Sequence, residues 1–87
     1  MDEQTLENEI EGIDSQIVEL LRRRAGRSDE LSQCSARPRS QLDRETVSRV
    51  TAQAGDGLSG CAAAVFRAVA AADQSRRSEA AGLRSKS

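Results

Sequence analysis

The chain has 87 residues, 37% of them apolar, with one aromatic side chain (Phe66), two cysteines, no histidine and a formal net charge of −1. A domain this short buries only about 60% of its unfolded surface and is marginal alone, so association of chains is the natural remedy for a thin core. The charge balance lacks the basic excess of a nucleic-acid binder, the missing His and CxxC make a zinc site implausible, and no stretch approaches the ~20 apolar residues of a membrane span. The net charge hides an asymmetry: residues 1–21 carry seven acids and no base, whereas residues 22–49 carry eight arginines against four acids. Such blocks can pair within or between chains. The acidic N-terminus has no apolar signal region, and a soluble cytoplasmic protein is expected. Cys34 and Cys61 read as small apolar fillers.

The first predicted element is long. Leu6, Ile10, Ile13, Ile17 and Leu20, with Leu31 further on, recur at alternating spacings of four and three, a helical stripe of coiled-coil type. Asp2 or Thr5 can cap its start, and acids crowd the first turns where the helix dipole favours them. Pro38 must end it, with Ala36 and Arg37 as its expected last residues. Gly26, inside the helix, suggests a close approach or a kink. About 30 residues of helix span roughly 45 Å at 1.5 Å per residue, whereas a compact chain of this length has a radius of gyration near ~12 Å. The helix must overhang its own domain, and a second copy is the simplest cover.

Ser40 can cap a short second helix, with Asp43 three residues on; its apolar side is Leu42, Val47 and Val50, and it stops near Gly55. "AGDGLSG" is a turn by its glycines. Asp56 can cap a third, medium helix carrying Leu58, Cys61, Ala62, Val65, Phe66, Val69 and Ala72. The apolar pattern is lost after Arg77. Residues 1–77 thus read as one all-α domain of three helices, long, short and medium, in an intertwined homodimeric bundle, and 78–87 as a flexible tail.

Arg24 falls seven positions after Ile17, on the apolar stripe. A guanidinium on a face built for burial requires an anion, either a side chain across a helix interface or a ligand. Arg44 and Glu45 open the second helix directly after the proline-containing connection. In "LENEIEGIDSQIVELLRRR" (Leu6 to Arg24), "LDRETVSRV" (Leu42 to Val50) and "AAVFRAV" (Ala63 to Val69), the chain resembles the all-α chorismate mutases. Their first helix reads like "LRxxIDxIDxxIVxLLxxR". The likeness covers roughly residues 6–77 and is most specific in the first helix.

The resemblance implies an intertwined dimer that converts chorismate to prephenate by a pericyclic rearrangement, with no metal or cofactor. Cationic groups hold a dianionic substrate in a compact conformer and stabilise charge on the breaking ether oxygen. Arg24 matches the family's carboxylate-binding arginine, and Arg44 and Glu45 match the pair that opens helix two, the glutamate holding the substrate hydroxyl. Glu7 and Ser35 stand where the family has an arginine donated to the partner's site and a lysine on the ether oxygen. Gln41 roughly matches a position near the substrate, and Asp73 and Arg77 align near a family Ser and Gln. Arg37, Arg39 and Arg77 are the candidates to replace the absent cations. Three readings follow: an isomerase acting on chorismate or a close relative, a non-catalytic dimeric interaction or regulatory module on the same scaffold, and a plain coiled-coil adaptor.

Overall fold

A computed structural model describes the backbone of residues 2–86 and the side chains of residues 2–79. The described residues form three helices and no strand: α1 (Glu3–Cys34), α2 (Arg39–Ala54) and α3 (Ser59–Lys86).

Asp2 is the N-cap of α1, and its carboxylate accepts a hydrogen bond of 2.7 Å from the Thr5 amide. Hydrogen bonds from Thr5, side chain and backbone, hold the Asp2 carboxyl below its ordinary range, since the charged form is the better acceptor. Asp2→Ala is expected to fray the first turn, read as faster amide exchange at Thr5 while amides beyond Ile13 are unchanged. At the other end α1 stops at Cys34, two residues before the expected Ala36. Ser35 is already extended (φ −88°, ψ 137°), and its amide donates back to the Leu31 carbonyl at 2.9 Å. Pro38 disfavours helical dihedrals at the residue before it, Arg37, so the helix has to end ahead of that position. Gly26 answers no close approach within the chain: α1 continues through it, and a Cβ at Gly26 would meet nothing within 4 Å.

Pro38, not Ser40, is the N-cap of α2, and no side chain caps it. The Pro38 carbonyl accepts from the Gln41 and Leu42 amides at 3.1 and 3.2 Å, so the fixed φ of proline starts the helix two residues earlier. Gly55 (φ 73°) and Gly57 (φ 89°) make the turn to α3 in the left-handed region, which glycine reaches without steric cost. Asp56 lies in that turn rather than at a cap; helical bonding of α3 begins with the Ala62 amide donating to Leu58. The helix runs to Lys86, past the end of the apolar stripe at Arg77. Alanine, glutamate, leucine and arginine after Arg77 are good helix formers without an apolar face. Side chains of the expected tail beyond residue 79, and Ser87, lie outside the described residues.

The helices α2 and α3 pack as an antiparallel hairpin, while α1 meets α3 over a shorter stretch near its C-terminal part. The result is elongated, 55 × 29 × 17 Å with a radius of gyration of 16.3 Å, well above the ~12 Å of a compact chain of this length. Among the described residues, only Leu42, Val50 and Ala63 are buried apolar residues. Leu6, Ile10, Ile13, Ile17 and Leu20 remain 46–58% exposed along α1. Leu58, in the turn before α3, and Val65 on α3 are exposed too, and both cysteines are exposed rather than filling a core. No helix among the described residues is long and apolar enough to cross a membrane.

Candidate anion-binding site

Among the described residues, α1 meets α3 through polar side chains at a node built around Asp73. Its carboxylate is 1% exposed, and a lone buried carboxylate is strongly disfavoured. It is not alone. Arg24 Nη1 donates to its Oδ2 at 3.2 Å, and Ser28 Oγ donates to the same oxygen at 3.1 Å. Arg76, one turn along α3, donates to Oδ1 and also reaches Asp29 on α1 at 3.2 Å. Burial pushes the Asp73 carboxyl up, but the bonds from Arg76, Ser28 and Arg24 outweigh it and hold the group below its ordinary value. The Arg76 guanidinium is correspondingly shifted up by its bonds to Asp73 and Asp29.

The two partners arrive at the node by the same local logic. Arg24 follows Ile17 by seven residues and Asp73 follows Phe66 by seven, so each sits on the apolar stripe of its helix. Arg24 also lies over the Phe66 ring, 5.5 Å from guanidinium carbon to centroid, within cation–π range. The anion required by Arg24 is therefore a side chain of the same protomer.

From this node a chain of hydrogen bonds leads to α2. Arg39 Nη2 donates to Ser28 Oγ at 2.8 Å, and Ser28 passes its own proton toward Asp73. Arg39 is 17% exposed, its nearest carboxylate oxygen on Asp43 is 3.9 Å away, and its Nε and Nη1 are closed off from solvent without an acceptor. Leaving such charged donors unpaired is unfavourable by about 1–3 kcal/mol each.

Arg39 lines a cavity of about 320 Å³ between α1 and α2. Its wall carries five arginines (Arg24, Arg27, Arg37, Arg39 and Arg49) against two acids (Asp43 and Glu45), with Leu31 and Leu42 as apolar surface. Three of these arginines donate to carboxylates at hydrogen-bonding distance, Arg24 to Asp73, Arg27 to Glu30 at 2.9 Å and Arg37 to Glu45 at 3.0 Å, while Arg39 pairs with Asp43 only loosely, at 3.9 Å. The wall thus keeps an unbalanced positive charge and an apolar side, the composition of a small organic-anion site.

The structure distributes the other residues singled out in the sequence as follows. Glu45 lines the cavity, where it accepts from Arg37 and from Gln41 Nε2 at 3.2 Å; Gln41 itself is outside the wall. Arg44 points to the other side of α2, beside Arg67 in a separate depression of about 390 Å³. The Ser35 hydroxyl accepts from the Arg37 amide at 3.2 Å, shaping the connection rather than facing the cavity. Glu7 is exposed on the free half of α1, 17 residues and so roughly 25 Å along the helix from Arg24; within one chain the two do not meet. Arg76, not Arg77, makes the contacts to Asp73 and Asp29. Ser28 and Arg76 were invisible to motif reading. Helical spacing alone marks both: Ser28 is one turn after Arg24, and Arg76 is three residues after Asp73. Among the described residues, no three His, Cys, Asp or Glu side chains gather to hold a metal ion. In comparisons with protein-family models, curated proteins and solved structures, nothing matched this chain.

Proposed function

We propose that this is a chorismate mutase-like protein: two chains intertwine through α1, and each arginine-lined cavity takes chorismate, or a close relative, and rearranges it to prephenate. The observation that carries the reading is the cavity itself, with five arginines on its wall and Glu45 facing them. A pericyclic rearrangement asks the protein only to hold a dianion in its compact conformer and to place fixed positive charge at the breaking ether bond. Cations on three short segments of α1, the connection and α2 can do both. In this reading Glu45 orients the substrate hydroxyl, Arg44 is supporting structure, and the protein is a cytoplasmic homodimer needing no cofactor.

A second reading is a non-catalytic dimeric interaction or regulatory module on the same scaffold. It is favoured by Asp73, which already neutralises Arg24, and by Glu7, which brings a negative charge where a partner-donated arginine would serve a dianion. Two like charges at 4 Å repel by about 4 kcal/mol at an effective dielectric of 20.

Incubating the purified protein with chorismate and following prephenate decides between them. The isomerase reading expects turnover above the uncatalysed rate, lowered about 10²–10³-fold by Glu45→Ala, the usual effect of losing one preorganised polar group. Absence of turnover in a folded dimer that still binds chorismate leaves the module.

A further inference from the structure

Of the five arginines on the cavity wall, Arg24, Arg27 and Arg37 are matched by Asp73, Glu30 and Glu45. Arg49 has no ion pair among the described residues, but it is exposed, so water solvates it. Arg39 differs from all of these. It is largely buried, its Nε and Nη1 lack an acceptor, and Asp43 at 3.9 Å is beyond hydrogen-bond reach. One edge of its guanidinium is pinned by Nη2 on Ser28, which is itself held by Asp73.

From this imbalance we infer that Arg39, not Arg24, anchors the ligand in this cavity, and that the ligand is a small organic acid whose carboxylate Arg39 binds. Asp73 is the resident counter-anion that withdraws Arg24 from that role. The inference rests on the proposed ligand-binding use of the cavity, and it assigns the charge selectivity of that same site. A carboxylate oxygen meets Arg39 when the guanidinium turns its unpaired Nη1 edge into the cavity while Nη2 stays on Ser28. Leu31 and Leu42 beside it favour an acid with a hydrocarbon body over an inorganic ion. Because Asp73 already neutralises the Arg24 guanidinium and holds its Nη1, the cavity offers one uncompensated carboxylate anchor where an unpaired Arg24 would offer two. Asp73 thus determines specificity without touching the ligand, and Ser28 is a positioning residue.

Calorimetric titration of the intact protein with 4-hydroxybenzoate, chorismate and inorganic phosphate tests this. Arg39→Ala is expected to weaken 4-hydroxybenzoate at least tenfold and Arg24→Ala less than threefold. Asp73→Asn is expected to strengthen chorismate, with its two carboxylates, at least fivefold and to leave 4-hydroxybenzoate within twofold. Adding Arg24→Ala to Asp73→Asn removes the gain. Where Arg24→Ala does not fold, Arg24→Gln retains a donor for Asp73 and gives the same comparison with Arg39→Gln. A loss at Arg24 equal to or greater than that at Arg39, phosphate bound as tightly as the organic acids, or no binding by folded protein overturns the inference. Prephenate formation reads the isomerase proposal separately. The Arg39 pattern without turnover keeps the anchor and removes the reaction; turnover with the loss falling on Arg24 does the reverse.

Discussion

If the chains pair through α1 as proposed, Ile13→Asp is expected to leave single chains that have lost much of their helix. The seam of Leu6, Ile10, Ile13, Ile17 and Leu20 is about half exposed in the isolated chain. Covering the remaining surface of each side chain is worth on the order of 1 kcal/mol. Ten such side chains in a pair of copies give roughly 10 kcal/mol, which a core of three buried apolar residues does not replace. An aspartate at the middle of the seam removes one of these contributions per copy and brings a carboxylate into a face that already carries Glu9, Glu11 and Asp14 nearby. Desolvating it adds a few kcal/mol per copy, and twofold pairing doubles the penalty. A total above ~4 kcal/mol corresponds to about a thousandfold weaker dimer. Sedimentation equilibrium reads the mass, and circular dichroism reads the helix, since an unpartnered amphipathic helix is marginal in water. Ile13→Leu, which keeps the volume, is expected to remain dimeric. A monomeric parent, or an aspartate variant that dimerises as tightly, removes the intertwined bundle and the two-chain part of the proposed function together.

The same seam explains why so much of the fold was legible in the sequence. Alternating four- and three-residue spacing places Leu6 through Leu20 on one stripe, and only a helix does that. Pro38 and the Gly55 and Gly57 pair punctuate the chain where α1 and α2 end. The end of α1 and the starts of α2 and α3 lie two or three residues from their expected places because they depend on caps: Ser40 and Asp56 are good cap residues, yet the proline and the glycine turn decided the geometry first, while α3 runs on to Lys86 on helix propensity beyond its apolar stripe. The site was less legible. Arg24 stood out as a charge on a greasy stripe, and the question of its anion was well posed. Its answer lies 49 positions away, on a stripe carrying an equally anomalous Asp73. Spacing puts each on a buried face, but no spacing rule says that two faces of different helices meet. Arg39 carried still less signal, because an arginine after a proline is ordinary until the loop folds its side chain under Ser28. Arg44 shows the converse. A motif match singled it out, and the rotation of α2 turns it away from the cavity.

Asp73 is the second position where a single substitution has a large effect. Asp73→Ala removes an acceptor used by three donors from three side chains, Arg24, Ser28 and Arg76. Breaking a buried ion pair by deleting one partner costs about 3–5 kcal/mol, and the lower end applies here because Arg24 and Arg76 are each about a third exposed and can turn toward water. About 3 kcal/mol lowers the thermal midpoint of a chain this size by roughly 12–24 °C. Asp73→Asn keeps the shape and one acceptor, and about half of that loss is expected. The pH dependence carries the distinguishing sign. The carboxyl is held below its ordinary value of 3.8, so near and below that value the unfolded chain binds the proton more readily than the folded one. Stability from this group is therefore complete above the ordinary value and is lost as pH falls toward the folded one. The thermal midpoint of the parent should be nearly flat from neutrality to about pH 5 and then drop steeply, while Asp73→Asn starts lower and drops less. Parallel curves for the two proteins would mean that the charge of Asp73 contributes nothing to joining α1 and α3. Arg24 would then lack the resident anion on which the assignment of the ligand to Arg39 depends.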